Sequence, residues 1–140
     1  MLFKCLSKSL NEKLSKLELV VKNAGSNSLY KNIKIDIINS LAYITSVNAK
    51  VCVIERLEVE SDSNFSFLVE ASSFIRFVKK QKNGEIKIVL SDKKDSITIY
   101  YASGEYSCPA FDVNTFPVVY KIPDGGINVK MNDYVSVLNK

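Results

Sequence analysis

The sequence predicts an α+β fold in which a β-α-β-β-β unit occurs twice, with both helices on one face of antiparallel sheets. Three observations point there. The apolar period lengthens from two to that of a helix at Leu10 and again at Phe74. Three strand-like runs follow each of those helices. The runs that open successive units begin near residues 2, 65 and 127, in nearly equal steps.

The first unit opens with a brief alternation over residues 2–6. Leu10, Leu14, Leu17 and Val21 then recur at spacings of four, three and four, which is one face of an amphipathic helix. Ser9, with Glu12 three residues on, predicts an S-x-x-E capping box at its start, and residues 23–27, rich in Asn, Gly and Ser, predict its end. Ile33, Ile35 and Ile37 alternate with Lys34 and Asp36 as a half-buried strand. Strands are expected over 41–47 and 51–60, joined by a turn at 48–50, the second with Val51, Val53, Leu57 and Val59 on one parity.

The second unit repeats this order. Phe65, Phe67 and Val69 alternate, Ser72-Ser73 leads into an amphipathic helix from Phe74, and Asn83-Gly84 closes it. Strands over 85–91, 96–102 and 105–111 follow, separated by turns at 92–95 and 103–104. The Pro-containing stretch 116–126 reads as a linker, and 127–140 as the first strand and helix of a second, truncated domain. The expected organisation is therefore a first domain over 1–115, a linker over 116–126 and the start of another domain over 127–140, a piece of a longer protein.

Composition limits the chemistry. The 140 residues, 46% hydrophobic and 24% charged, suffice for one packed core. His and Trp are both absent, which excludes Ser-His-Asp and Cys-His catalysis and His-ligated metals. Cys5, Cys52 and Cys108 are odd in number and lie in apolar strand patterns, so buried free thiols and a reducing cytoplasm are expected. No apolar run has membrane-spanning length and residues 1–10 hold no signal-peptide core, so a membrane location is not expected. Glu55, Glu58, Glu60 and Asp62 form the densest acidic stretch; 58, 60 and 62 would share one strand face, as a solvated edge more readily than as a metal row. Asp124-Gly125-Gly126 reads as an interdomain turn, and no phosphate-cradling Gly motif occurs. No catalytic residue, cofactor or metal is expected.

The basic residues carry more information. Net charge is +4, and Arg56 and Arg76 are the only arginines, so bidentate reading of bases cannot be widespread. Lys13 and Lys16 lie off the apolar stripe of the first helix, with Lys22 at its end. Arg76, Lys79, Lys80 and Lys82 place four positive charges in seven residues of the second helix with no acid between them. A solvated helix face is the plain reading. The sharper one is a surface on which flexible Lys heads neutralise nucleic-acid phosphates without reading sequence.

Three stretches complete the argument: Asn32-Ile-Lys-Ile-Asp-Ile37 followed by Leu41-Ala-Tyr-Ile-Thr-Ser46, then Phe67-Leu-Val-Glu-Ala-Ser-Ser-Phe-Ile-Arg-Phe-Val78, then Tyr106-Ser-Cys-Pro-Ala-Phe-Asp-Val-Asn-Thr-Phe-Pro117. In order and spacing they resemble the bacterial DNA sliding clamp, the beta subunit of DNA polymerase III, over essentially the whole chain. The resemblance implies the DNA-clamp fold and a ring of head-to-tail subunits around duplex DNA that tethers the replicative polymerase, with nucleoid-associated localisation. It implies that Lys13, Lys16, Lys22, Arg76, Lys79, Lys80 and Lys82 face DNA, and that Glu105, Tyr106, Ser107, Cys108 and Pro109 form a subunit-interface edge. Polymerase and clamp loader would bind later domains, beyond this chain. Residues 24–29 carry neither the Pro nor the Arg that clamps commonly have there, and 47–50 replace a usual acidic turn; both departures suit a divergent, phage or mobile-element clamp. The reading from another class is a stand-alone interaction module that recruits a partner strand to a sheet edge.

Overall fold

The structure, a computed structural model, describes residues 1–22, 28–48, 51–81 and 84–116, without the side chains of Lys22, Ser28 and Leu29. Lys82, all of the expected linker but Phe116, and the expected strand and helix over 127–140 lie outside the described residues.

The first unit consists of β1 (Leu2–Leu6), α1 (Ser7–Lys22), a 3₁₀ turn (Ser28–Lys31), β2 (Asn32–Ile38), β3 (Leu41–Val47) and β4 (Cys52–Glu58), followed by the two-residue β5 (Glu60–Ser61). The second consists of β6 (Phe65–Glu70), α2 (Ala71–Lys80), β7 (Glu85–Leu90), β8 (Ser96–Tyr101), β9 (Gly104–Pro109) and a 3₁₀ turn (Val113–Thr115). The two units exchange their opening strands. One sheet has the order β5-β1-β7-β8-β9 and the other β4-β3-β2-β6, so β1 joins the triplet of the second unit and β6 that of the first. All pairings are antiparallel. The ends of the triplets close in matching ways: after β4 the chain returns to β1 with Lys4 opposite Glu60, and after β9 it reaches β6 with Leu68 opposite Phe111.

The period of each strand determines which side chains enter the core. Phe3 and Cys5 from β1, Ile33, Ile35 and Ile37 from β2, and Ile86, Ile88 and Leu90 from β7 are buried at alternate positions. Leu10, Leu14 and Leu17 on α1 and Phe74, Ile75 and Val78 on α2 meet them, and one cluster spans both sheets and both helices. α1 packs against α2 and over β3 and β4, while Phe77 of α2 stacks on Tyr106 of β9 with ring centroids 4.4 Å apart and meets Tyr101 of β8 edge-on at 5.2 Å. Leu68 is fully buried on the opposite side of its sheet, beneath the Phe111 bridge and the Val113–Thr115 turn.

Several expectations need correction. α1 starts at Ser7, directly from β1, so Ser9 lies inside its first turn and no Ser9–Glu12 capping box marks the start. The Ser7 N–H instead donates to the Gly84 carbonyl, 2.9 Å away, so the second unit satisfies one of the free donors at this helix end. α2 begins three residues earlier than Phe74, and Ser73 Oγ donates to Glu70 Oε1 at 2.6 Å. The strand expected over 51–60 is split, because Val59 donates to the Ser40 carbonyl and β5 then joins the other sheet. The strand expected over 105–111 starts at Gly104 and ends at Pro109; Ala110 donates to the Asp95 carbonyl as the chain crosses toward β6. The turn expected at 103–104 falls on Ala102 and Ser103.

The acidic row is also dispersed. Glu55 turns into the protein, Glu58 stays on β4, and Glu60 moves to the other sheet. Asp62 accepts from the Leu2 N–H at 3.0 Å and sits 3.7 Å from the N-terminal amine; the Leu2 bond, then that from Ser63, holds its carboxyl below the usual range. Cys5 and Cys52 are buried, whereas Cys108 is only half-buried.

Candidate nucleic-acid interface

The two helices lie side by side with their apolar stripes inward, which leaves a continuous outward face. On α2 this face carries Ser72, Arg76, Lys79 and Lys80, all exposed and without an acidic residue among them. On α1 it carries Lys8, Glu12, Ser15, Lys16 and Leu19. Lys8 was missed in the sequence because it precedes the expected helix start. With α1 beginning at Ser7, Lys8, Glu12 and Lys16 form a row at four-residue spacing. That spacing from Glu12 was the available signal.

Not all expected DNA-facing residues stand free of acids. Lys13 leans toward β4, with its Nζ 4.0 Å from Glu55 Oε1. Lys79 reaches across to α1 and donates to Glu18 Oε1 at 2.7 Å. Two of the expected cations thus have carboxylate neighbours that the spacing of the basic residues does not show, while Lys16, Arg76, Lys79 and Lys80 are exposed. The reason is that Glu18 and Glu55 lie far from these lysines in sequence, and only the packing of α1 brings them close. The Lys22 side chain and Lys82 lie outside the described residues.

The expected interface edge takes shape at β9, which pairs with β8 alone among the described strands. Glu105, Ser107 and Pro109 are exposed, while Tyr106 and Cys108 face the core side and are half-buried. Burial, then Glu70, pushes the Cys108 thiol up from its ordinary value. A cleft of about 440 Å³ lies between β9 and the start of α2, lined by Lys31, Glu70, Ser73, Tyr106, Cys108 and Phe111 among others. A second, of about 320 Å³, occupies the corresponding place in the other unit, lined by Lys4, Leu6, Ser9, Glu58, Glu60 and Glu85 among others. The duplication thus repeats the shape with different chemistry. Among the described residues, no three His, Cys, Asp or Glu side chains are grouped to hold a metal, and no helix is long and apolar enough to cross a membrane.

Two adjacent helices with a basic outward face, backed by two sheets that exchange strands between duplicated units, define a clamp-type domain. The family model for the DNA polymerase III beta subunit, N-terminal domain, matches residues 1–120, and the chain belongs to that family. Solved structures agree in fold. The beta subunit of DNA polymerase from Streptococcus pyogenes superposes with a TM-score of 0.80 at 15% identity, covering 88% of this chain and 33% of that one. The DNA polymerase sliding clamp of Bacillus subtilis gives 0.78 at 17%, covering 87% and 34%. The Helicobacter pylori beta clamp, solved bound to a DNA ligase peptide, gives 0.79 at 18%, covering 89% and 34%. The chain therefore spans about a third of the length of these clamps. No curated protein matches it by sequence.

Proposed function

We propose that this protein contributes to a DNA sliding clamp, a non-enzymatic processivity factor that holds duplex DNA loosely and keeps a replicative polymerase at its template. The observation that carries this reading is the exposed face of α2, with Arg76, Lys79 and Lys80 and no acid of its own, in a domain of the beta-subunit family. Lysine ammonium groups on long stems neutralise phosphates at variable positions and read no bases. A contact that must slide needs that looseness.

The partners follow the same reading. Duplex DNA lies along the helices, and the open edge of β9, from Glu105 to Pro109, receives a strand from a neighbouring subunit head to tail. Polymerase, clamp loader and peptides of the kind seen on the Helicobacter pylori clamp bind elsewhere on the assembled ring, which works at the nucleoid. The test is binding of a random-sequence duplex at low ionic strength. Changing Arg76, Lys79, Lys80 and Lys82 to Glu is expected to abolish salt-dependent binding while the circular dichroism spectrum stays unchanged. Unaltered binding would reduce these charges to a solvated face.

A further inference from the structure

We propose that Glu18 acts as a built-in restraint on DNA affinity, holding Lys79 away from phosphate so that the helix face grips duplex more weakly than its cations allow. This inference rests on the DNA-clamp reading above. Glu18 and Lys79 come from different helices and meet across the seam between them at 2.7 Å, the shortest of the ion pairs among the described residues. Both side chains remain partly open to solvent, 29% and 43% exposed, so the pair stands at the surface a polyanion would approach. Arg76 and Lys80, on the same outward face, have no carboxylate within 4.0 Å among the described residues.

The consequence is an exchange. For Lys79 to neutralise a phosphate it must share its ammonium with Glu18 or turn away from it, and in either case the Glu18 charge stays beside the phosphate, inside the screening length of physiological salt. Both effects oppose binding, and the direct pairing is made with Lys79 and not with Arg76 or Lys80. Phosphates on a duplex repeat along its axis, so a sliding contact must be made and lost at every step. A carboxylate that takes back Lys79 between steps provides an alternative partner, which lowers the residence of any one contact.

The test is anisotropy of a labelled random-sequence duplex titrated with the 140-residue chain across a series of salt concentrations. Glu18→Gln keeps the side-chain shape and removes the charge. It is expected to tighten binding by about two- to fivefold at low salt, the range of an exposed ion pair, and to steepen the salt dependence by about one phosphate contact. Lys79→Gln alone is expected to weaken binding less than Arg76→Gln or Lys80→Gln does, and Glu18→Gln with Lys79→Gln to lose the gain. Unfolding midpoints of each variant confirm that the fold persists. If Glu18→Gln leaves affinity and salt slope unchanged while Arg76→Gln with Lys80→Gln weakens binding, the restraint is refuted and the DNA-binding face stands. If the Arg76 and Lys80 changes have no effect, or no chain binds duplex, the DNA-binding face is refuted and the restraint with it.

Discussion

Glu55 points inward from β4 and its carboxylate lies 4.0 Å from the ammonium of Lys13 on α1. Residues 51, 53, 55, 57 and 59 share one parity, so the apolar face that Val53 and Leu57 bring to the core carries a carboxylate between them. Glu55 is buried and Lys13 partly so. The pair ties the first helix to the edge of the four-stranded sheet.

Lys13→Met therefore strands a buried charge. A loss of about 1–3 kcal/mol is expected, below the full cost of breaking a buried pair because Lys13 is partly solvated. Lys13→Met with Glu55→Leu should recover most of it, since an apolar pair of similar volume avoids desolvating either charge. Urea unfolding of the three variants measures the coupling.

Core truncation should cost more. Leu14 and Phe74 are both 0% exposed and lie where the helices meet the strands. Leu14→Ala and Phe74→Ala are each expected to lose about 3–5 kcal/mol by the same measurement. Leu19→Lys, on the outward face at 66% exposure, should stay within about 0.5 kcal/mol of the native chain.

The hairpin between β2 and β3 turns through Asn39 and Ser40 at φ of 52° and 65°, both left-handed. This two-residue turn suits Asn at the first position and Gly at the second. Ser40→Gly removes the Cβ strain and is expected to stabilise the protein by about 0.5–1 kcal/mol, seen as a raised denaturation midpoint.

Cys5 gives a pH dependence. Burial, and then Glu85, pushes its thiol up to about 12 from an ordinary 9.0. The folded state thus favours the protonated thiol, so this contribution is complete below about pH 9 and declines as pH rises toward 12. Stability measured across that window should fall, and less steeply in Cys5→Ala. At neutral pH the half-buried Cys108 should be alkylated before the buried Cys5.

Where local periodicity decides structure, the sequence was legible. Ile33, Ile35 and Ile37 alternate and are buried, and Leu10, Leu14 and Leu17 recur at helical spacing and are buried. Among the described residues, the order of the strands and the two helices followed from such patterns, apart from β5, whose two residues are too short to show a period. The Ser9–Glu12 motif misled because a strand running straight into α1 moves the helix start to Ser7. At the candidate site, the exposure of Arg76 and Lys80 could be read from their place opposite Phe74 and Val78. The partners of Lys13 and Lys79 could not, since Glu55 and Glu18 reach them only when α1 docks on β4 and on α2.

The exchange of opening strands ties the two halves of the domain into one folding event. β1 is made before the other described strands, yet the strand that pairs along its whole length is β7, some eighty residues later. During synthesis the side of Leu2–Leu6 that faces β7 therefore waits unpaired until Glu85–Leu90 emerges, and neither half alone can complete a sheet. Such distant pairing slows folding, because the entropy of closing the long loop is lost before the contacts form.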